Sequence, residues 1–396
     1  MVYSDQTLSA LKSEVEQTFG RSILTSKDCI QLSEELFSKT RDSVNANTLR
    51  RLFGLVKTNF KPSVATLNIL ARYCGCNSVQ ELPAFVRVLE KDDVVTKENV
   101  LHYLVNMFRE IPVNDISNQT FFILSKHTIL FFNRNPTLAH EFQNHMAKTK
   151  NGQSFYFERF INIDRLNDYY GNGLRRYVSE KKTTEAEAFT YSLLVFRYWL
   201  TMEKEKLAQA YQHIESCDGT QLNSSTICAR YFASQLYYAH ASGLPMETIM
   251  DQVQQHHLTL RTQNGELQSF PFFELIISEA LVLTGYYNEA LYYINYAAEN
   301  YMRNLAYLDF GYYTTFDLLK GIALGKVGQR KCTEKIINSF NAKELCFLSK
   351  KYNYLLYYIL YAGLRKLSIS DCEHFKKLVK ETGFVRLLPY LSMTNF

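Results

Sequence analysis

Glycine and proline are scarce in this chain, with 16 and 7 among 396 residues. Both residues interrupt helices, so their scarcity permits long helices and argues against a sheet-rich fold with many tight turns. No apolar run is long enough to span a bilayer, and no signal-type segment follows Met1. We therefore expect a cytoplasmic, all-α protein that makes no contact with a membrane.

Motifs for catalysis and for metal binding are also lacking. His140 and His145 are five residues apart, whereas the helical zinc motif needs a separation of four to place both rings on one face. Cys74 and Cys76 are too close for an ordinary zinc pair, and the eight scattered cysteines are typical of reduced thiols in the cytosol. No phosphate-binding loop or nucleophile-elbow sequence occurs. We expect no enzyme, no metal and no cofactor.

The patterning divides the chain into three predicted parts, which are residues 1–93, 94–182 and 183–396. The first is expected to be a helical domain and the second a helical middle region. Within the second, residues 151–182 include Gly152, Gly171 and Gly173 and are predicted to mix short helices with loops. We assign no role to residues 94–182.

Residues 183–396 show a repeated pattern of paired helices with a period near forty residues. Such self-similarity indicates an α-solenoid, because one helical hairpin cannot bury its apolar faces without neighbours. The predicted pairs are 184–201 with 204–216, 223–242 with 245–257, 267–284 with 287–301, 312–327 with 329–341, and 345–363 with 370–381.

The third pair carries the most specific sequence of this region, which is Gly285, Tyr287, Ala290, Leu291, Ile294 and Ala297. It resembles the tetratricopeptide repeat, and the other pairs resemble that repeat more loosely. The resemblance implies a concave groove lined by the first helix of each hairpin, and a peptide or protein ligand in it. Glu279 is then a candidate groove residue.

The first ninety residues predict five short helices. The first covers 5–19, Ser26 caps the second, and Asn45 or Asn47 caps the third. Pro62 and Ser63 open the fourth, and a fifth is expected from residue 77 or 78 onward. The second helix is expected to turn its apolar side inward through Ile30, Leu32, Leu36 and Phe37, and the fifth to carry Leu82, Phe85 and Leu89.

These helices resemble the helix-turn-helix domain of the lambda-repressor and Cro class. The resemblance rests on the order of Thr48-Leu49, Pro62-Ser63, Leu70-Ala71, Gly75 and the segment from Ser78 to Leu82. The family usually has a glycine in the tight turn before its recognition helix, whereas Arg41-Asp42-Ser43 stands there in this chain. The resemblance implies that the third helix enters the major groove of DNA.

The charge of this segment agrees with that expectation. Between Ser43 and Gln80 there is no acidic residue, and DNA affinity comes largely from positive charge that meets phosphates. The five basic residues of the segment are Arg50, Arg51, Lys57, Lys61 and Arg72. We expect Asn45, Asn47 and Arg50 to face outward toward base edges, and Arg51, Lys57 and Lys61 to contact phosphates.

Two functions fit these patterns. The first is a transcription regulator that binds double-stranded DNA through its N-terminal domain, as a possible homodimer, and a peptide or protein through its repeats. The second is a protein-interaction scaffold of the tetratricopeptide type in which the N-terminal domain binds no DNA. An enzyme with an unrecognised site ranks below both.

Overall fold

The computed structural model describes residues 5–56, 62–76, 78–80, 94–110, 119–263, 270–301 and 311–391. Every regular element in these residues is helical, which confirms the all-α prediction. The α-helices are α1 (Asp5–Phe19), α2 (Ser26–Thr40), α3 (Ala46–Leu52), α4 (Val64–Tyr73), α5 (Val94–Glu110), α6 (Gln119–Arg134), α7 (Pro136–Met146), α8 (Tyr169–Lys181), α9 (Thr184–Thr201), α10 (Lys204–Ser216), α11 (Ser225–Ser242), α12 (Glu247–Gln263), α13 (Phe272–Thr284), α14 (Tyr287–Asn300), α15 (Tyr312–Lys326), α16 (Arg330–Ser339), α17 (Lys350–Leu364) and α18 (Ile369–Thr382).

Shorter helical segments connect some of these helices. A π-helix covers Gly152–Arg159, and 3₁₀-helices cover Ile163–Arg165, Gly219–Gln221, Ala342–Glu344 and Val385–Leu391. In the part of the chain that the structure describes, no helix is both long and apolar enough to cross a membrane. The chain divides into two compact units, Met1–Val100 and Leu101–Phe396, which we call the first and the second unit. The three-part division stays a prediction.

The first unit has its own core, to which each of α1–α4 contributes. Val15, Leu32, Leu49 and Leu70, one from each helix, are fully buried. Helix α2 packs against α3 and α4, and α1 packs against α4. The core therefore holds the short helix α3 in place, although seven residues are too few for a stable helix in isolation.

Helix α2 buries a narrower stripe than the sequence predicts. Cys29, Leu32 and Leu36 are buried at helical spacing, whereas Ile30 and Phe37 are 46% and 54% exposed. Positions 30 and 37 lie to one side of the stripe, so the expectation that they face inward is wrong. The predicted fifth helix, with Leu82, Phe85 and Leu89, lies outside the described residues.

Local hydrogen bonds set where these helices begin and end. Thr25, rather than the predicted Ser26, is the N-cap of α2, and it forms a capping box with Asp28. Ser63 caps α4 as expected. Helix α2 ends at Arg41, whose φ of 61° and ψ of 7° are left-handed. Arg41 therefore adopts the conformation that glycine usually supplies in such a turn.

The second unit contains five successive pairs of packed helices at the predicted positions: α9 with α10, α11 with α12, α13 with α14, α15 with α16, and α17 with α18. The first helices of neighbouring pairs also pack against one another. Helices α10, α14 and α16 each pack in addition on the first helix of the next pair. Among the described helices, the backbone of α12 packs closely only on α11. This difference leaves a space beside α12.

The first and last pairs of the second unit are in contact. The ring of Phe196 on α9 lies 6.1 Å from that of Tyr352 on α17. The 3₁₀-helix Val385–Leu391 packs on α9, where Arg386 Nε donates a 2.6 Å hydrogen bond to the carbonyl of Trp199. The series of helix pairs therefore curls back on itself.

Asp164 forms a second link across this closure. Its carboxylate accepts hydrogen bonds from the backbone N–H groups of Lys351, at 2.8 Å, and Tyr352, at 3.0 Å, at the start of α17. Burial raises the pKa of Asp164 to about 6, although these hydrogen bonds act in the opposite direction. The carboxylate thus accepts hydrogen bonds from N–H groups that the helix leaves unpaired at its start, while its own burial makes the charged form less favourable.

The helices before α9 share the core of the helix pairs. Phe142 on α7 packs edge-on against Phe108 and Tyr156, with ring centroids 5.3 Å apart in each case. Helix α8 packs on both α7 and α9. One continuous cluster of buried residues runs from Leu101 to Leu387.

Candidate DNA-binding surface and inner ligand site

Helix α3 presents its polar side chains on the surface of the first unit. Leu49 and Leu52 hold the helix to the core, because both are buried. Asn45, Asn47 and Arg51 are exposed. Arg50 is half-buried. Since α3 contains no acidic residue, its outer side carries only positive charge.

Local hydrogen bonds divide the roles of these side chains. Asn45 is the N-cap of α3, and its Oδ1 accepts a 2.8 Å hydrogen bond from the backbone N–H of Asn47. Arg50 Nη1 donates a 2.9 Å hydrogen bond to Asn47 Oδ1. Arg50 Nε is buried without a hydrogen-bond partner. Asn47 and Arg50 thus form one joined polar surface, and Asn45 fixes the start of the helix beneath it.

The positive charge of the segment is partly neutralised. Arg72 Nη2 lies 2.6 Å from Asp42 Oδ2, so this arginine is tied to the turn that precedes α3. The exposed pair contributes little to stability but removes one of the five charges counted from sequence. Lys57 and Lys61, predicted to contact phosphates, lie outside the described residues. The structure therefore places Asn45, Asn47, Arg50 and Arg51 together on α3.

A second polar cluster lies inside the second unit, and we call it the inner cluster. Its members come from the first helices of the helix pairs and from α8. Arg230 and Glu279 interact electrostatically across α11 and α13. Neither forms an ion pair with another described residue. The remaining members, which interact electrostatically with one or both, are Tyr170, Tyr237, Tyr312 and Tyr352.

Burial shifts both charged groups toward their neutral forms. Desolvation raises the pKa of Glu279, against the attraction of Arg230. Desolvation also lowers the pKa of Arg230, against the attraction of Glu279. Both residues are of intermediate exposure, so neither is fully enclosed by the fold.

Several polar atoms of the inner cluster lack hydrogen-bond partners among the described residues. Arg230 Nε and the hydroxyls of Tyr237 and Tyr352 are buried without a hydrogen bond. Tyr352 lies beside Glu279 but does not reach hydrogen-bonding geometry. Leaving such groups unsatisfied costs about 1–3 kcal/mol each, so they are a candidate site for a ligand or an ordered water. A group with both a donor and an acceptor, such as a peptide amide, matches an arginine and a carboxylate that lie within electrostatic range of each other.

The sequence indicated Glu279 but not its companions. Arg230 gives a signal that was available, because it is the only Asp, Glu, Lys or Arg in the 18 residues of α11. A single charge in an otherwise uncharged helix marks a polar site within a core. Tyr237 and Tyr352 give no such signal, because tyrosine is common throughout this region and usually serves in packing.

No protein family, no curated protein and no solved structure that we compared with the chain matches it. Its function is therefore inferred from its own side chains.

Proposed function

We propose that this protein is a DNA-binding transcription regulator whose helical repeats bind a peptide or protein ligand. In this proposal the first unit is a five-helix, helix-turn-helix-like bundle and the helix pairs of the second unit are a tetratricopeptide-like solenoid. The observation that carries the proposal is the outer side of α3, which presents Asn47, Arg50 and Arg51 without any acidic residue.

The order and packing of the first four helices support the DNA-binding part. Helix α3 follows α2 after a turn closed by a left-handed residue and packs directly on it. Asn and Arg are the side chains that read adenine and guanine edges in the major groove. The joined pair of Asn47 and Arg50 therefore suits base contact, and Arg51 suits phosphate contact.

The inner cluster supports the ligand-binding part. Burying hydroxyls and an arginine Nε without hydrogen-bond partners lowers the free energy of unfolding. A peptide backbone offers the carbonyl acceptors and N–H donors that would satisfy them. Arg230, which forms no ion pair with a described residue, would then donate to an acceptor of the ligand, and Glu279 would accept from a donor of the same ligand.

Titration with random duplex DNA at several salt concentrations tests the first part. Fluorescence anisotropy of labelled DNA should show affinity falling linearly with the logarithm of salt, with a slope of about −0.9 per phosphate neutralised. Arg51→Ala should weaken binding to every sequence and reduce the magnitude of that slope by about 0.9. On a site selected from a random pool, Arg50→Ala should cost about 1–3 kcal/mol.

Lys12→Ala is the matched control, because Lys12 carries the same charge on α1, away from α3. It should leave the slope unchanged. Binding that does not respond to salt, or a loss in Lys12→Ala equal to that in Arg51→Ala, would contradict a role for α3.

The alternative is a protein-interaction scaffold that binds no DNA. The local bonds of the first unit favour it, because Asn45 is used as a cap and Arg72 is neutralised by Asp42. In that case the same titration shows no salt-dependent binding, while the inner cluster keeps its ligand-binding role.

A further inference from the structure

The space beside α12 is a cavity of about 330 Å³ that neither the DNA surface nor the inner cluster uses. It is bounded by α11, α12, α13 and α14. Its floor is apolar and consists of Leu236, Val253, Ile277 and Leu281, all of which are buried. The cavity exists because α12 packs closely on α11 alone. Its volume falls within the range of small-molecule sites, which begins at roughly 300 Å³.

The rim of this cavity is acidic. Glu247 and Asp251 stand one turn apart on α12, and Glu289 faces them from α14. None of the three forms an ion pair or a hydrogen bond with a described residue. Carboxylates four residues apart on a helix repel each other, so an added cation would relieve a repulsion already present. Among the described residues, no Lys, Arg or His lines the cavity.

Aromatic side chains form the remaining wall. Tyr292 is 43% exposed and lines the cavity together with Tyr293. The face of a tyrosine ring attracts an ammonium or amidinium group. Arg261 donates a 3.4 Å hydrogen bond to the Tyr292 hydroxyl and lies over the ring of Tyr296, and it is not among the described residues that line the cavity.

We propose that this cavity binds a small organic cation with an apolar body, which inserts the apolar part between α12 and α14 and places its ammonium or amidinium group among Glu247, Asp251 and Glu289. The apolar floor contributes affinity because it buries the apolar body of the ligand, and the acidic rim favours a ligand of positive charge. The site is separate from the inner cluster, because it shares none of the cluster's residues.

Three probes with one aromatic ring each, which differ mainly in charge, test the selection. Phenethylammonium is the cation, 2-phenylethanol the neutral analogue and 3-phenylpropanoate the anion. Titration of the full-length protein, followed by ligand-observed saturation-transfer NMR, should give the tightest binding for the cation and none for the anion. Equal binding of the three probes, or no binding of the cation, would overturn the proposal.

Two variants locate the site. The double variant Glu247→Gln with Asp251→Asn changes only exposed side chains, and it should weaken phenethylammonium binding roughly tenfold while leaving 2-phenylethanol unaffected. Met250→Trp fills the cavity and should abolish binding of both probes. Glu299→Gln removes an exposed carboxylate of α14 outside the cavity and should change neither. Unaltered cation binding in the first two variants would place the probe elsewhere and refute the assignment.

Discussion

The polar side chains that carry the two candidate sites differ in exposure. In the first unit, Asn45 and Asn47 are exposed and bond to neighbours a few residues away, although Arg50 Nε is buried without a partner. In the second unit, Arg230 Nε and the hydroxyls of Tyr237 and Tyr352 are buried without partners. The first unit thus offers an exposed polar surface at α3, whereas the second holds several buried polar groups that an added molecule would complete. Four predictions test this contrast, in order of decreasing effect.

The largest effect is expected in the core of the second unit. Phe142→Ala removes a ring that packs against Phe108, Phe132 and Tyr156. We expect a loss of about 3–5 kcal/mol in the free energy of unfolding, because the cavity left behind adds to the lost burial. Urea unfolding followed by the fluorescence of Trp199, the single tryptophan, reports on this unit. Ile369→Ala, at a site 81% exposed, should change it by no more than about 0.5 kcal/mol.

The second prediction concerns pH and Asp164. The folded pKa of about 6 lies above the ordinary value of 3.8, so the folded protein binds the proton more tightly than the unfolded chain. Protonation of Asp164 therefore adds to the free energy of unfolding. This contribution is complete below the pKa of the unfolded chain, and up to about 3 kcal/mol of it is lost as the pH rises through the folded pKa.

Asp164→Asn should remove this decline in the urea midpoint between about pH 4 and pH 6. Asp218→Asn is the control, because Asp218 is exposed and hydrogen bonds to Thr220 lower its pKa. That variant should keep the decline. A decline that persists in Asp164→Asn would assign it to another group.

The third prediction concerns mutations that are expected to raise the free energy of unfolding, whereas most mutations lower it. Tyr237→Phe and Tyr352→Phe remove buried hydroxyls that have no partner. Each should raise the free energy of unfolding by about 1 kcal/mol in the absence of ligand, because a desolvation cost disappears. Urea unfolding measures the change. Tyr170→Phe is the matched control and should destabilise the unit, because the Tyr170 hydroxyl donates a 2.7 Å hydrogen bond to the Phe157 carbonyl.

The smallest effect separates two asparagines of the first unit. Asn45→Ala should cost about 1 kcal/mol, because it removes the N-cap of α3. Asn47→Ala should leave stability nearly unchanged and reduce discrimination among DNA sequences. Thermal unfolding followed by far-UV circular dichroism, beside anisotropy on selected DNA, distinguishes them. Equal losses of stability in the two variants would show that Asn47 is structural.

The helices of this fold were largely predictable, and the reason is local. Helix α1 begins and ends where the spacing of its apolar residues indicates, and α9 and α10 match their predicted spans. The apolar period of 3.6 residues and the capping residues depend only on positions that are close together in the chain, so both can be recognised in a single sequence. The finer resemblance to helix-turn-helix domains and tetratricopeptide repeats stays a prediction.

Features that depend on distant residues could not be read in this way. Gly171 and Gly173 suggested loops, yet both lie within α8. A side chain at Gly171 would come within 1.9 Å of the Leu166 carbonyl, and one at Gly173 within 2.4 Å of Gln143. These glycines permit close packing rather than a turn. The meeting of Arg230 with Glu279, and the cavity beside α12, likewise arise only from tertiary packing.

The contact between the first and last helix pairs of the second unit has a consequence for its ancestry. Asp164 and Lys351, like Trp199 and Arg386, meet across 187 residues of chain. An open array of hairpins can gain or lose a unit at either end, since each unit touches only its neighbours. Here an inserted or deleted hairpin would separate both pairs of residues, so the number of hairpins is set by closure. Duplication of a repeat would have to be accompanied by a new set of end contacts.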